Sequence, residues 1–305
     1  MRLLITGASG LLGSELSKMA LQEGYDVYSA YFKHKKTHGK PVKLDIRKLR
    51  SVERTFKEIK PDVTIHAAAL TEVDRCEREK EFAWDVNAHG TMNIVKQTKE
   101  SRILLVYVST DYVFSGERGL YAETDEPNPV NYYGETKLVG EQEVKNSQSE
   151  WCIVRPSVIY GALPIAKKHN FALWVINELR KRKDIDIVTD QWVSPTLNTN
   201  LAEMILEIIE SHLTGIYHLA GASRINRFRF AHMLANTFNL DRNSIKPSTL
   251  EKMNWLARRP KDCSLNVSKA TRTLTHKPMK IEKALKKLKA ELIRLGDRSR
   301  AVKHG

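Results

Sequence analysis

Arg2-Leu3-Leu4-Ile5-Thr6-Gly7-Ala8-Ser9-Gly10-Leu11-Leu12-Gly13 opens the chain, and its reading decides the fold. The first five residues form an apolar run of strand length, and Leu16, Met19 and Ala20 then recur at helical spacing. Between strand and helix stands Gly-x-x-Gly-x-x-Gly. Glycines at that place allow a tight turn and bring the backbone close to a pyrophosphate at the N-terminus of the following helix. Gly7, Ser9, Gly10, Leu11, Leu12 and Gly13 are therefore candidate cofactor-binding residues.

The pattern repeats outward from this start. Tyr25 to Tyr31 and Val42 to Ile46 read as strands, Leu49 to Ile59 as a helix, and Pro61 to His66 as a strand followed by Ala67-Ala68-Ala69. Small side chains there let a cofactor lie close to the backbone. Glu72 to Lys99 reads as mostly helical, with the polar Asn87 among its apolar positions; if buried it must be hydrogen-bonded. Ile103 to Val108 and Trp151 to Arg155 are further strands. This alternation over residues 1–160 predicts an α/β fold with a doubly wound parallel sheet. Beyond it the chain changes character. Helices are expected over Asn170 to Lys183, Leu201 to Ser211 and Phe228 to Phe238, and strands over Ile185 to Val188 and Gly215 to Gly221. A basic amphipathic helix is expected over Ile281 to Leu295, followed by a frayed tail from Gly296 to Gly305.

The chemistry concentrates between Ser109 and Lys137. Ser109-Thr110-Asp111-Tyr112-Val113-Phe114 follows the Ile103–Val108 strand, and Tyr133 and Lys137 stand one turn apart on the next helix. A free tyrosine has a pKa of about 10 and is a poor acid at neutral pH. A lysine ammonium nearby favours the phenolate and is expected to lower that value. A hydroxyl at the strand's end would hold a carbonyl oxygen while the phenol protonates it, which suits a carbonyl that receives hydride.

Composition limits the alternatives. A chain of 305 residues with 41% hydrophobic content can bury one large or two modest cores. No stretch reaches the ~20 apolar residues of a membrane span, and Leu3-Leu4-Ile5 is too short for the core of a signal peptide. Cys76, Cys152 and Cys263 are widely spaced, which points to a reducing cytoplasm and to no metal site. The net charge of +14 suits anionic ligands. Nucleic acid is not expected as a partner, because no helix-turn-helix, zinc module or aromatic-studded basic strand is present. The Lys283–Lys303 segment reads as a solvated helix face.

Taken together, several motifs resemble the dTDP-4-dehydrorhamnose reductase family of extended short-chain dehydrogenase/reductases. They are the glycine triplet, Ala67-Ala68-Ala69 with Asp74, Val86-Asn87-Ala88, Ser109 to Phe114 with Gly116, Tyr133-Gly134-Glu135-Thr136-Lys137, Asp190-Gln191 with Ser194-Pro195-Thr196, and Arg259-Pro260 with Leu265. The resemblance runs to about residue 290. It implies a Rossmann domain over 1–160, to which parts of 185–220 return, interleaved with a smaller α/β substrate domain over 161–305. It implies a catalytic triad of Thr110, Tyr133 and Lys137, with Tyr133 protonating the C4 oxygen of a nucleotide-linked keto sugar. Lys33, Lys35, Asp45, Ile46, Ala67, Ala68, Ala69 and Ser157 would join Tyr133 and Lys137 around the cofactor. Thr71, Val73, Thr110, Asp111, Tyr112, Gln191 and Arg259 would line the sugar site. A homodimer is compatible with the resemblance. Departures from the pattern are Val158, Cys263, Asn226-Arg227 and His66, all expected near the cofactor or the sugar.

Two other functions share these motifs. One is the regulatory subunit of methionine adenosyltransferase, a binding partner built like a reductase. The other is a sugar-nucleotide epimerase with tightly held NAD. An NAD site generally places an acid after the second strand, but here Lys33, His34, Lys35 and Lys36 follow it. The expected cofactor is therefore NADPH, with NADH second. A charge-assisted hydrogen bond to the 2′-phosphate is worth about 1.5–3 kcal/mol, a preference of roughly tenfold or more. Titrating both cofactors should show that preference and its loss in Lys33→Ala; equal affinities would remove the argument.

Overall fold

The computed structural model describes residues 1–35, 37–162 and 170–301, with side chains through Gly296, so Lys36 of the basic stretch lies outside the described residues. Seven strands make one parallel sheet. They are β1 (Arg2–Thr6), β2 (Asp26–Tyr31), β3 (Lys40–Lys43), β4 (Val63–His66), β5 (Leu104–Val108), β6 (Trp151–Arg155) and a seventh, Gly215–His218. Their spatial order is seventh, β6, β5, β4, β1, β2, β3. Leu3 of β1 thus pairs with Val27 on one side and Val63 on the other. The winding direction reverses at β1, and the crevice beyond the carboxyl ends of β1 and β4 is where such sheets take ligands. The doubly wound α/β fold expected from the alternation is the fold observed.

Side chains alternate along each strand between two apolar layers. Leu3, Ile5, Val27, Ile65, Val106 and Val154 pack with Leu16 and with Leu201 and Ile205 of the Asn198–Glu210 helix. Leu4, Ala30, Leu105, Tyr107 and Ile153 face the other way, against Phe56, Ile94 and Val144. Burial on both faces explains why these strands read as continuous apolar runs. Each such Leu, Ile or Val contributes about 1.5–3 kcal/mol when fully buried. A separate cluster joins Val175, Ile176, Ile185, Phe230, Leu234, Ile281 and Leu285. It lies among the helices Phe171–Arg180, Arg227–Phe238 and Ile281–Ala301 and the paired strands Ile185–Val188 and Ile245–Ser248.

Several boundaries differ from the sequence reading. The third strand is Lys40–Lys43, not Val42–Ile46, so Asp45 lies in the loop beyond it. The Glu72–Lys99 stretch divides into helices Val73–Arg78, Lys80–Trp84 and Gly90–Ser101, with a wide π turn over Asp85–His89. Glu79, at φ −116° and ψ 58°, breaks the first from the second. The last helix continues past Leu295 to Ala301, and the rest of the expected tail lies outside the described residues. At the sheet's edge, β3 carries Pro41 between two lysines, and Lys40 reaches Asp26 of β2 at 2.7 Å. Among the described residues no helix is long and apolar enough to cross a membrane.

His66 and His218 are wholly buried, and burial, helped by the nearby cations Lys137 and Arg155 respectively, pushes both imidazoles from 6.5 down to about 3. Both are neutral in the fold. Below pH 6.5 the unfolded chain binds protons that the fold does not, so stability is present above that pH and is lost as pH falls toward 3. The thermal midpoint should decline through this window, and His66→Asn should flatten part of the slope in differential scanning calorimetry.

Candidate active site

The helix Tyr132–Lys145 is set in place at its first turn. Asn131 caps it, its Oδ1 accepting from the Gly134 N–H at 2.9 Å and its Nδ2 donating to the Arg258 carbonyl at 2.9 Å. Gly134 packs against the Tyr112 turn so closely that a Cβ there would lie 2.2 Å from the Tyr112 carbonyl oxygen. Tyr133 and Tyr112 meet edge-on with ring centres 6.0 Å apart. On the facing strand end, Thr110 donates to Asp111 Oδ1 at 3.1 Å and accepts from the Tyr112 N–H at 3.2 Å. Its hydroxyl also faces the Tyr133 phenol. Thr110, Tyr133 and Lys137 are 6%, 8% and 2% exposed, so all three stand in a water-poor pocket.

Burial governs the titration of this group. It raises the Tyr133 phenol well above its usual value, opposed by the Thr110 hydroxyl. The expectation that Lys137 would lower the phenol is not met in this arrangement: burial raises it, and the group that opposes the rise is the Thr110 hydroxyl. Lys137 itself is pushed down to about 7 by burial, with Glu141 acting to raise it, and its ammonium sits 4.1 Å from the centre of the Tyr107 ring. Asp111 rises to about 6, again through burial, held back by hydrogen bonds from Ser157 and Thr110.

Around the triad the polar groups form closed chains. The Ala68 N–H donates to Thr6 Oγ1, Thr6 lies 2.7 Å from His66 Nδ1, and His66 Nε2 lies 3.1 Å from Thr91 Oγ1. Thr91 spends its one hydroxyl proton on the Asn87 carbonyl at 2.6 Å. The ring must therefore donate from Nε2 and accept at Nδ1. Asn87 accepts from the Leu70 N–H at 2.8 Å and donates to the Leu70 carbonyl and to Thr136 Oγ1, both at 3.1 Å. It ties the loop after β4 to the helix of Tyr133. Ser157 donates to Asp111 Oδ2 at 2.6 Å and accepts from the Ser194 N–H, while its carbonyl accepts from Thr196 Oγ1 at 2.6 Å. Held this firmly, the next residue, Val158, is kept at φ 40°, a left-handed conformation that is unusual for a β-branched side chain and costs about 1–3 kcal/mol.

The glycine loop is equally tight. Gly7, at φ +68°, lies so near the Ala67–Ala68 backbone that a Cβ would be 2.8 Å from it, and a Cβ on Gly13 would be 2.3 Å from the Gly7 carbonyl oxygen. The helix Leu11–Gln22 starts at Gly10 with no side-chain cap and no acid in its first turn, as a helix that receives an anion would. Lys33 and Lys35 are exposed just beyond β2. Asp45 is held below the usual carboxylate range, chiefly by Arg47, which grips it at 2.9 and 2.8 Å. The Arg47 guanidinium lies 5.1 Å from the Phe32 ring centre and 5.4 Å from that of Phe82.

On the other side, buried Gln191 approaches the Tyr112 hydroxyl and the Pro260 carbonyl at 3.4 and 3.3 Å, and its Oε1 accepts from Arg227 Nε at 2.6 Å. Arg259 pairs with Asp74 at 3.0 Å. Val73 is half-buried in the cluster around Tyr112 and Tyr133, while Thr71 is exposed. A cavity of about 850 Å³ opens beside Arg259, lined by Trp192, Arg224, Trp255, Arg258 and Lys261. A cavity of about 460 Å³ near Arg2, Phe56 and Asp62 lies at the opposite ends of the strands and holds none of these groups.

Comparison with known proteins identifies the family. Residues 1–294 match the family described as RmlD substrate binding domain. The chain belongs to that family. It is 33% identical to a dTDP-4-dehydrorhamnose reductase from Bacillus anthracis solved in complex with NADP, covering 95% of this chain and 99% of that one, with a TM-score of 0.86. A probable low-salt glycan biosynthesis reductase from Haloferax volcanii is 32% identical over 87% of this chain and 89% of its own. Methionine adenosyltransferase 2 subunit beta from Xenopus tropicalis is 30% identical over 82% and 76%.

Within the reductase family framework, the structure also brings forward residues that sequence reasoning passed over. Arg227 appeared only as a departure from the family pattern, yet its guanidinium reaches Gln191 and acts on Asp111 and Tyr112. Arg47 had no motif to announce it. Glu141 and Arg155 form a buried pair beneath Lys137, signalled only by helical spacing and by a lone charge in an apolar strand. Replacing Asn87 with Ala should leave the Leu70 N–H and Thr136 without this partner and cost about 1–3 kcal/mol per unsatisfied group, read as a lower urea midpoint.

Proposed function

We propose that the protein reduces the C4 keto group of a nucleotide-linked deoxysugar, taking hydride from NADPH. The observation that carries this reading is that the buried Thr110 hydroxyl meets the Tyr133 phenol, while Lys137, buried one turn along the same helix, acts on His66, which is joined through Thr6 to the Ala68 backbone that packs on Gly7. The absence of room for a Cβ at Gly7 and Gly13, together with the uncapped helix start, fits a dinucleotide pyrophosphate. NADPH bound there supplies the hydride. The relative solved with NADP supports the choice, as do Lys33, Lys35 and Arg47 near the end of β2. In this reading residues 1–160, with parts of 185–220, hold the cofactor, and 161–305 supply most of the sugar site.

The residues then divide the work. Thr110 turns its hydroxyl from Asp111 to hold the C4 oxygen, and Tyr133 gives that oxygen its phenolic proton as negative charge develops. The raised phenol is fully protonated at neutral pH and so is in the donating form. Lys137, when charged, stabilises the phenolate left behind. Burial of all three excludes water and strengthens each contact. Trp192 and Trp255 offer flat faces to a base, and Arg224, Arg258, Arg259 and Lys261 offer cations to a diphosphate in the adjoining cavity.

A second reading, a cofactor-binding regulatory subunit without turnover, is favoured by the likeness to methionine adenosyltransferase 2 subunit beta. NADPH oxidation measured over a panel of nucleotide-linked 4-keto sugars separates the two. The reductase reading expects turnover on at least one sugar, and a loss of about 10²–10⁴-fold in Tyr133→Phe with cofactor binding intact. Tight NADPH binding with no turnover on any of them would favour the regulatory reading.

A further inference from the structure

Beneath the reacting side chains lies an ion pair that the proposed reaction does not consume. Glu141 is fully buried, one helical turn beyond Lys137. Its Oε1 accepts from the Ser109 hydroxyl at 2.6 Å and from Arg155 Nε at 2.8 Å, and its Oε2 accepts from Arg155 Nη2 at 2.6 Å. Lys145 approaches Oε2 at 4.0 Å from the helix surface. Arg155, 1% exposed, also lies 3.4 Å from His218 Nε2 and 5.0 Å from the Phe114 ring centre.

Buried pairs of this kind add little net stability, because desolvation offsets the attraction, and an apolar pair often serves the fold as well. What distinguishes this one is its attachments. Ser109 immediately precedes Thr110, Arg155 stands two residues before Ser157, and Glu141 shares a helix with Tyr133 and Lys137. One carboxylate therefore joins the ends of β5 and β6 to that helix. Among the described residues it is also the carboxylate that acts on Lys137. The groups that face the ammonium are the neutral His66 from β4, the Tyr107 ring from β5 and Glu141 from its own helix, with Arg155 of β6 beyond Glu141; the Tyr133 phenol stands one turn back on the same helix, with Asp111 acting on it.

We propose that Glu141 is a positioning residue for the reaction: through Ser109 and Arg155 it fixes the Tyr133–Lys137 helix against the strand ends that carry Thr110 and Ser157, with its own charge set one helical turn from the Lys137 ammonium. This rests on the reductase reading. The lysine stands near the middle of the working pH range, where burial pushes it down and the carboxylate holds it up. Removing the carboxylate should release the charge at lower pH.

The test compares kcat against pH in the wild type and Glu141→Gln, with Lys137 followed in the cofactor-free protein by 15N NMR. In Glu141→Gln the basic limb should move down by about one pH unit, so that kcat at pH near 8 falls roughly tenfold, and the amine should titrate lower by the same amount. The KM for the sugar nucleotide should stay nearly unchanged. Should Glu141→Gln fail to fold, Glu141→Gln/Arg155→Met removes both charges, and a smaller shift in the same direction is expected in it, because the opposing Arg155 cation goes as well. A wild-type limb and a wild-type lysine titration in either folded variant would overturn the proposal and leave the pair a structural cross-link. Lys137→Met separates the two levels: if it turns over normally, the reductase reading itself fails, whereas an inert Lys137→Met beside an unshifted Glu141→Gln removes only this inference.

Discussion

No side chain fits between Gly7 and the backbone of Ala67 and Ala68, and the rest of the site depends on that closeness. It brings the loop after β1 against the loop after β4 at the point where the sheet reverses its winding. Gly13 then seats the first helix on the same loop. The crevice beside this contact is bounded by elements that cannot move apart without losing buried apolar area on both faces of the sheet. Its shape is therefore set before any ligand arrives, and a ligand need not be charged the entropy of ordering it.

Around that rigid floor the interior is unusually polar. Asp111, Lys137, Glu141, Arg155, His66 and His218 are all buried within the same region of the fold. Each would be costly alone, and most are held by two or more hydrogen bonds that link successive elements. The arrangement gives each group a particular protonation state: both histidines neutral, Asp111 and Lys137 near the middle of the pH scale. A site that moves a proton needs groups of this last kind, and here burial creates them without any metal ligand being invoked.

Much of this was legible in the sequence. Arg2–Thr6, Leu49–Ile59 and Trp151–Arg155 were read with the observed bounds because each is a strongly patterned run. The glycine triplet marked the close approach of the loops after β1 and β4, and the Tyr133–Lys137 spacing put those two residues one turn apart on one helix, both through local geometry alone. What failed to show was whatever depends on partners distant in the chain. Lys40-Pro41-Val42-Lys43 carries little apolar signal and is a strand because β2 pairs with it. Arg47 over Phe32 and Arg155 beneath Lys137 acquire meaning only once the strands are laid side by side. The raised phenol of Tyr133 was misread for the same reason, since spacing reports a neighbour but not the loss of solvent.

The edge strand β3 has a consequence for the protein in concentrated solution. An exposed strand edge offers a row of free N–H and C=O groups, on which a strand of another molecule can add and start an aggregate. Pro41 has no N–H to give at the middle of this edge, and Lys43, exposed at its end, sets a like charge against any second copy arriving in register. The outer rim of the sheet is thus closed to extension by charge and by a missing donor. At this edge the open sheet lacks the apolar, fully donating border on which polymerisation starts.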